Sequence, residues 1–496
     1  MYVLTKEEMY RADRFTSEEI GIKEEILMEN AGRGMADEII KYIGINNKIA
    51  VFCGSSNNAG DGFVVARRLK NLGYHVYIVF LGDEKKLKSA AFLNYSICKN
   101  LKISFFGYDE FLSKDFSFDV AIDALFGIGF RGKLSFPFDE VVRKINSSNS
   151  FVISLDIPTG VYADENLIFK DAVKADLTLV VSFLKHSAFL YPSRLNYGKI
   201  VVVDADIVLD DLSLKSAART WEEKEFRETF TKKEEDTDKR KEGKVLVVGG
   251  SDNMPGSISL TATACYKTGA GLVEVATTTE VKRILASKIS EVMFSETKEK
   301  DGSLKDFEIG KNIDFLVLGP GLARKDFSKD VVRKAILCDC PVLLDADDLF
   351  FLDSELFTLI KNRVKPTILT PHEGEMARLC GLKYEEIKNS RFSISKEKAQ
   401  QWGVNLVLKG PYTIVSTPSG DQFVNTSGNQ GLSKGGSGDV LAGIIASFVK
   451  RAKDIQHAIS NAVYLHGKVC DFLISNGENE NTITPTKLIE NMKFVF

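Results

Sequence analysis

The sequence contains no apolar run near the length that a membrane-spanning helix needs. It carries no large excess of either charge. With 65 basic and 68 acidic side chains the net charge is −3, so no basic field exists to hold a nucleic-acid backbone. Cysteine is too sparse for a disulfide framework. The seven residues (53, 98, 265, 338, 340, 380 and 470) are odd in number and irregular in spacing. Cys338 and Cys340 have no second pair that would complete a zinc site. Reduced, mostly buried thiols in a cytoplasm are expected. The five histidines show no metal-ligand spacing. The opening stretch MYVLTKEEMYRADRF is charged within its first turns and does not read as a signal peptide. Low-complexity tracts and internal repeats are missing too.

What is present is ordinary globular composition, 44% hydrophobic and 27% charged over 496 residues, long enough for two or three domains. Helical patterns cover about Lys6–Glu19 and Lys23–Ile43. Short apolar runs then alternate with helices: 48–53, 75–81, 118–126, 151–158, 176–183 and 199–204 read as strands, and Asp61–Leu72 as a helix. Continuous apolar strands separated by helices predict a parallel sheet covered on both faces. The stretch 221–244 is almost devoid of apolar residues and reads as a solvated surface segment or linker. The domain boundary is expected near 213, giving domains 1–212 and 213–496 with a charged segment about 213–243. A second alternating series follows, with strand patterns at 244–250, 271–277, 314–321, 341–347, 366–372, 405–410, 413–417 and 421–425. Helical patterns cover 439–450, 456–474 and 485–493. Both halves are therefore expected to be three-layer α/β domains.

The stretch NTSGNQGLSKGGSGDVLAGIIASFV (425–449) concentrates the chemistry. Gly428, Gly431, Gly435, Gly436 and Gly438 let the backbone approach a ligand closely. From Val440 the apolar spacing is helical, so the loop ends at a helix start, where amides and dipole favour an anion such as phosphate. Asp439 stands at the junction as either a helix cap or a base. Other strand patterns end in Gly319-Pro320-Gly321, in Asp345-Ala346-Asp347-Asp348, in Thr370-Pro371-His372-Glu373-Gly374-Glu375 and in Lys409-Gly410-Pro411-Tyr412-Thr413. Each alone has a structural reading as a turn, a cap or a satisfied histidine. Together they converge at the carboxyl edge of one sheet, where α/β proteins bind ligands.

Lys434-Gly-Gly-Ser-Gly-Asp439-Val-Leu-Ala-Gly443, with TPHEGE and GPGL upstream, resembles the nucleotide-dependent NAD(P)HX dehydratases of the ribokinase-like fold. The resemblance runs over nearly all of 213–496. It implies nucleotide binding, ADP or ATP with Mg2+, through Lys409, Gly410, Pro411, Tyr412 and Thr413. The loop Asn429, Gln430, Gly431, Leu432, Ser433, Lys434, Gly435, Gly436, Ser437 and Gly438 is implied with them. It implies substrate contacts at Ser257, Gly321, His372 and Asp439, with Asp439 as general base. The family's usual DADALN is here Asp345-Ala346-Asp347-Asp348-Leu349-Phe350, and its usual Gly-Leu-Gly is Gly321-Leu322-Ala323.

In the first half, Cys53-Gly-Ser-Ser-Asn57-Asn58-Ala59-Gly60-Asp61-Gly62 links a strand to a helix and again suggests phosphate at a helix start. It is not G-x-G-x-x-G, so an ordinary dinucleotide site is not implied. Asp123 and Asp156 end later strands, and the oxygens of Asn58, Asp123 and Thr159 suit one hard cation. The set NNAGDG, DALFGIGFRG and DIPTG resembles the NAD(P)HX epimerases over about 1–212. It implies a K+ site at Asn58, Asp123 and Thr159. Substrate contacts are implied at Asn57, Asn58, Ala59, Gly60 and Asp61, at Gly127, Ile128, Gly129, Phe130, Arg131, Gly132 and Lys133, and at Asp156. Asp156 is the expected acid/base group.

The two halves are expected to form one bifunctional enzyme that epimerises NADHX and NADPHX and dehydrates the S form, with a homo-oligomeric state implied by the family. The competing reading is a ribokinase-like small-molecule kinase, of the hydroxymethylpyrimidine or hydroxyethylthiazole type, joined to a non-catalytic binding domain.

Overall fold

The computed structural model describes residues 1–113, 116–164, 167 and 171–496. The chain divides into two compact units, Met1–Ala217 and Ala218–Phe496.

In the first unit seven strands form one sheet: β1 (Lys48–Cys53), β2 (His75–Phe80), β3 (Ser104–Phe106), β4 (Val120–Ala124), β5 (Phe151–Leu155), β6 (Leu177–Val181) and β7 (Lys199–Val203). All pair in parallel, in the order β3-β2-β1-β4-β5-β6-β7. The apolar runs lack alternation because both faces are covered. Strand order reverses direction between β1 and β4, so the turns that leave these strands open the crevice where such sheets take ligands. Helix α1 (Lys6–Arg14) starts at a capping box of Thr5 and Glu8, and continues as one wide turn over Phe15–Glu19. Helices α2 (Glu24–Ile39) and α3 (Asn57–Asn71) pack closely through Gly32, where a Cβ would lie 2.4 Å from Val64 Cβ. The α3 pattern was expected to open at Asp61; it opens at Asn57. Ser56 is extended and Asn57–Gly60 form the first turn, so the polar motif is the helix start itself rather than a loop before it.

The second unit has β8 (Ala218–Trp221), β9 (Lys244–Val248), β10 (Leu272–Ala276), β11 (Met293–Phe294), β12 (Phe315–Leu318), β13 (Val342–Leu344), β14 (Thr367–Leu369), β15 (Asn405–Leu408), β16 (Ile414–Ser416) and β17 (Gln422–Asn425). Their order is β11-β10-β9-β12-β13-β14-β15-β16-β17-β8. Only β16 runs against its neighbours. Val245 and Val247 face one core while Leu246 and Val248 face the other, which gives the three layers. Helices α4 (Pro255–Lys267), α5 (Glu373–Cys380), α6 (Ser437–Phe448) and α7 (Ile455–Ser475) carry or support the site.

The charged stretch is not wholly linker. β8 pairs with β17, and a helix spans Glu223–Thr229. Trp221 and Phe226 are buried in the core, and the Trp221 indole donates to Asn461 Oδ1 at 3.0 Å. Trp221 and Phe226, with Phe230 packed against the same core, anchor a segment most of whose other residues are exposed, so its composition conceals its place in the sheet. Among the described residues no helix is long and apolar enough to cross a membrane.

Candidate active sites

In the first unit, the turns after β1, β4 and β5 meet at a cavity of about 820 Å3. Asp123 is fully buried. It accepts hydrogen bonds from Ser154 Oγ (2.9 Å), Thr159 N (2.9 Å) and Thr159 Oγ1 (2.7 Å). Burial pushes its carboxyl up from the usual range, against those hydrogen bonds. Asn58 is buried and reaches the Phe126 carbonyl that Thr159 Oγ1 also approaches at 3.5 Å. Its Nδ2 donates to Phe126 O at 3.0 Å, while its Oδ1 is buried without a partner. A buried acceptor without a partner is costly unless a donor or cation satisfies it. Asp156 has φ +63 and is nearly buried. Its Oδ1 accepts from the buried Lys185 Nζ at 2.6 Å, and from Val181 N at 3.2 Å. Burial raises the Asp61 carboxyl strongly, helped by Asp156 and Asp13.

In the second unit the site lies where α4, α6 and the ends of β12 to β15 meet. Gly436 caps α6, and no side chain caps it. Asp439 is therefore no cap. Its Oδ1 accepts from Ser257 Oγ of α4 at 2.6 Å, and the amides of Gly438 and Asp439 find no backbone acceptor among the described residues. A helix start with free amides is an anion site. Burial raises the Asp439 carboxyl, the Asp345 charge adds to this, and Ser257 and Lys409 oppose it. Lys409 Nζ donates to the buried Asp345 Oδ1 at 2.8 Å. Burial works against the lysine charge, but Asp345, Glu375 and Asp439 together hold its pKa up. A Cβ on Gly438 would lie 3.4 Å from Lys409 Nζ, so the glycine loop and the lysine share one space. Gly321 (φ +67) packs on the start of α4, where a Cβ would lie 2.8 Å from Met254 O and 3.2 Å from Ser257 Cβ.

His372 is exposed and caps α5. Its Nδ1 accepts from Gly374 N (3.0 Å) and Glu375 N (3.2 Å), which leaves Nε2 as the protonated nitrogen of the neutral ring. Lys409 N donates to Pro371 O at 2.9 Å, which sets the histidine turn beside the lysine turn. That lysine turn is fixed from below by Arg391, whose Nη1 donates to Pro411 O at 2.6 Å and Nη2 to Leu408 O at 3.1 Å. Tyr412 takes φ +55 within it. The glycine loop is held by Asp471 of α7, which accepts from Gly428 N and Asn429 Nδ2, both at 2.8 Å.

A family model described as NAD(P)H-hydrate dehydratase matches residues 245–493, and one described as YjeF-related protein N-terminus matches 24–187. A bifunctional NAD(P)H-hydrate repair enzyme of Moorella thermoacetica is 33% identical over 493 residues, covering 95% of this chain and 92% of its own. The chain belongs to the bifunctional NAD(P)H-hydrate repair enzymes. The repair enzyme of Thermofilum pendens is 34% identical and covers 95% of this chain and 92% of its own. That of Coxiella burnetii is 31% identical, with 99% of both chains covered. A solved ADP/ATP-dependent NAD(P)H-hydrate dehydratase from Bacillus subtilis, co-crystallized with ATP/Mg2+, is 30% identical, with 56% of this chain and 97% of that one covered and a TM-score of 0.49.

Within this repair enzyme, Asn57, Asn58, Asp61, Gly127, Ile128, Gly129, Phe130 and Asp156 line the first cavity. Ala59 and Gly60, expected among the contacts, are not among its lining residues: Ala59 packs in the core, and Gly60 lies against Met28, which itself lines the cavity. They share the first turn of α3 but point to its inner side. Arg131, Gly132 and Lys133 are exposed and outside the cavity lining. In the second unit Ser257, Gly321 and Asp439 come together, with Lys409 and Gly438 beside them. Ser433, Lys434 and Gly435 are exposed, while Leu432 turns its side chain to the core. Sequence reasoning missed Lys185, Arg391, Asp471 and His466. His466 is buried 3.3 Å from Ser437 Oγ, and burial, with Lys409, lowers its pKa to about 4. The one signal for Lys185 is a lysine inside an otherwise apolar run; the other three carry no local signal.

Proposed function

We propose that the chain restores hydrated nicotinamide cofactors. The first unit interconverts the R and S epimers of NADHX and NADPHX, and the second dehydrates the S form to NADH or NADPH at the expense of ADP or ATP. The observation that carries this is Asp439, raised by burial, bonded to Ser257 rather than to its own helix, and set beside free amides. The hydroxyl on ring carbon 6 is a poor leaving group. Asp439 takes its proton as general base, the oxygen attacks the terminal phosphoryl group as the nucleotide departs one phosphate shorter, the ring nitrogen lone pair expels phosphate to form a C=N+ bond, and loss of a proton from the neighbouring carbon 5 to solvent restores the dihydronicotinamide. The amides of Gly438 and Asp439 and the Lys409 ammonium stabilise charge on the transferring group. Mg2+ bound with the nucleotide would add positive charge at the phosphates. A full-length match to curated repair enzymes disfavours the small-molecule kinase with a non-catalytic first domain.

In the first unit, the unpartnered Asn58 Oδ1, tied through the Phe126 carbonyl to Thr159 and so to the buried Asp123, supports a cation site of oxygen ligands, and Asn58, Asp123 and Thr159 would hold K+. When bound, K+ supplies the fixed positive charge that these oxygens lack. Asp156 serves as acid/base group for the hydroxyl. Unpaired, mostly buried cysteines accord with a cytoplasmic location, and a homo-oligomeric state belongs to the same proposal.

The test mixes both NADHX epimers with the full-length chain and ADP or ATP, and follows absorbance at the NADH band. Complete recovery with one nucleotide supports both activities. Recovery stalling near the S fraction removes the epimerase, and no recovery with either nucleotide removes the dehydratase.

A further inference from the structure

Inverting the carbon that carries the hydroxyl requires two proton transfers. One proton must reach the hydroxyl as its C–O bond breaks. One must leave the water that adds to the opposite face. A lone carboxylate beside one face serves one of these transfers.

The first cavity holds a second carboxyl. Asp13 lies in the last turn of α1, half-buried, and lines the same cavity as Asp156 from a different element. The groups that act on it come from every side: Lys185 and Asp156, Glu24 of α2 and Asp61 of α3. Tyr10 lies one turn back on α1, itself influenced by Asp13, Asp156 and Arg131. Lys185 is committed to Asp156, at 2.6 Å from Oδ1, and to Val181 O at 3.3 Å. Asp13 has no such contact with the lysine. Burial, with Asp156 and Glu24, pushes its carboxyl up to about 6, and Lys185 opposes them. Two carboxyls in one cavity, one ion-paired and one not, are the arrangement that separates an acid from a base.

We propose that Asp13 is the second acid/base residue of the epimerase site, protonating the departing hydroxyl on one face of the ring while Asp156 deprotonates the water returning on the other. The proposal rests on the epimerase reading above. In the first step the carbon–oxygen bond breaks, the hydroxyl leaves as water with the Asp13 proton, and the nitrogen electron pair forms a C=N+ bond. In the second, water adds to that carbon from the Asp156 side, the electron pair returns to nitrogen, and Asp156 takes the released proton. The other epimer runs the same steps with the two carboxyls exchanged. Solvent water returns the proton between turnovers in one direction.

Full-length wild type, Asp13→Asn and Asp13→Glu are each given R-NADHX, and formation of the S epimer above the uncatalysed rate is followed by chromatography from about pH 5 to 9. Dehydration of S-NADHX with ADP or ATP reports on the second unit of the same chain. Asp13→Asn is expected to lose at least about 100-fold in kcat with KM changed less than about threefold, and Asp13→Glu to regain part of it. The wild-type rate should fall as pH rises through the raised Asp13 value, and that limb should vanish in Asp13→Asn. A kcat within about threefold of wild type, a loss expressed wholly in KM, or a wild-type profile with no alkaline limb overturns the assignment. A wild-type chain that does not speed epimerisation overturns the epimerase reading and this assignment with it.

Discussion

Asp439 shows how much one residue's surroundings decide. From the sequence it is a cap or a base. The structure gives the cap position to Gly436 and gives Asp439 a hydroxyl partner on another helix. Asp439→Asn keeps the shape and the Ser257 contact but cannot accept a proton. It should bind ADP or ATP within about threefold of wild type while kcat for dehydration falls at least about 100-fold, as calorimetry and turnover will show. The pH dependence follows from the raised carboxyl. The base works ionised, so dehydration should rise with pH through a value above the usual aspartate range. Asp345→Asn removes a charge that raises Asp439 and frees Lys409, which lowers it, so the acid limb of kcat should move to lower pH. An unmoved limb would mean that the limb belongs to another group. Legibility at this scale divides by chemistry. Asp439, Asp123, Asp156 and Lys409 stand at strand or helix ends and are readable there. His466 is buried by packing that brings distant segments together, and local pattern carries no trace of it, while Lys185 shows only as a lysine within an apolar run.

Elements were read from apolar periodicity, and the parallel strands were legible because both faces are covered. The failures have specific causes. The first turn of α3 contains Asn57, Asn58 and Gly60, which disguise a helix start as a loop. β8 was hidden because only three aromatic residues, Trp221, Phe226 and Phe230, betray core packing within a charged run. Trp221→Ala should cost about 3–5 kcal/mol, since a large aromatic side chain leaves a cavity and strands its Asn461 partner. Glu234→Gln or Asp236→Asn, both exposed, should stay within about 0.5 kcal/mol. Urea midpoints followed by dehydratase activity separate these outcomes, and equal midpoints for Trp221→Ala and wild type would return the segment to mere linker. The α4–α6 contact gives a second test. A Cβ on Gly443 would lie 2.4 Å from Thr261 O and 2.9 Å from Ala264 Cβ. Gly443→Ala gains roughly 1 kcal/mol of helix propensity and loses about 1–3 kcal/mol by overpacking, and because the obstacle is backbone the loss should win. The melting temperature of the second unit should fall by a few degrees, and Ser257 and Asp439 should separate, lowering dehydration more than epimerisation.

At the scale of the whole chain, the two sites differ in what limits them, and this makes the joint activity separable. The residues proposed for dehydration, Ser257, Gly321, Lys409 and Asp439, all lie in Ala218–Phe496, and those proposed for epimerisation in Met1–Ala217. On the proposed assignments neither reaction draws on a residue of the other unit. A chain carrying Asp156→Asn should therefore convert S-NADHX at the wild-type rate with ADP or ATP. Given a mixture of epimers it should recover NADH quickly up to the S fraction, then continue only at the uncatalysed epimerisation rate. A chain carrying Asp439→Asn should recover almost none, yet bring a sample of pure R-NADHX to its epimeric equilibrium as fast as wild type. Mixing the two variants should restore full recovery, because the R epimer released by one chain is inverted by the other and returned through solution. Chromatography of the epimers beside NADH absorbance reads all three samples. If the mixed variants stall where Asp156→Asn alone stalls, the two activities do not reside in separate halves of this chain.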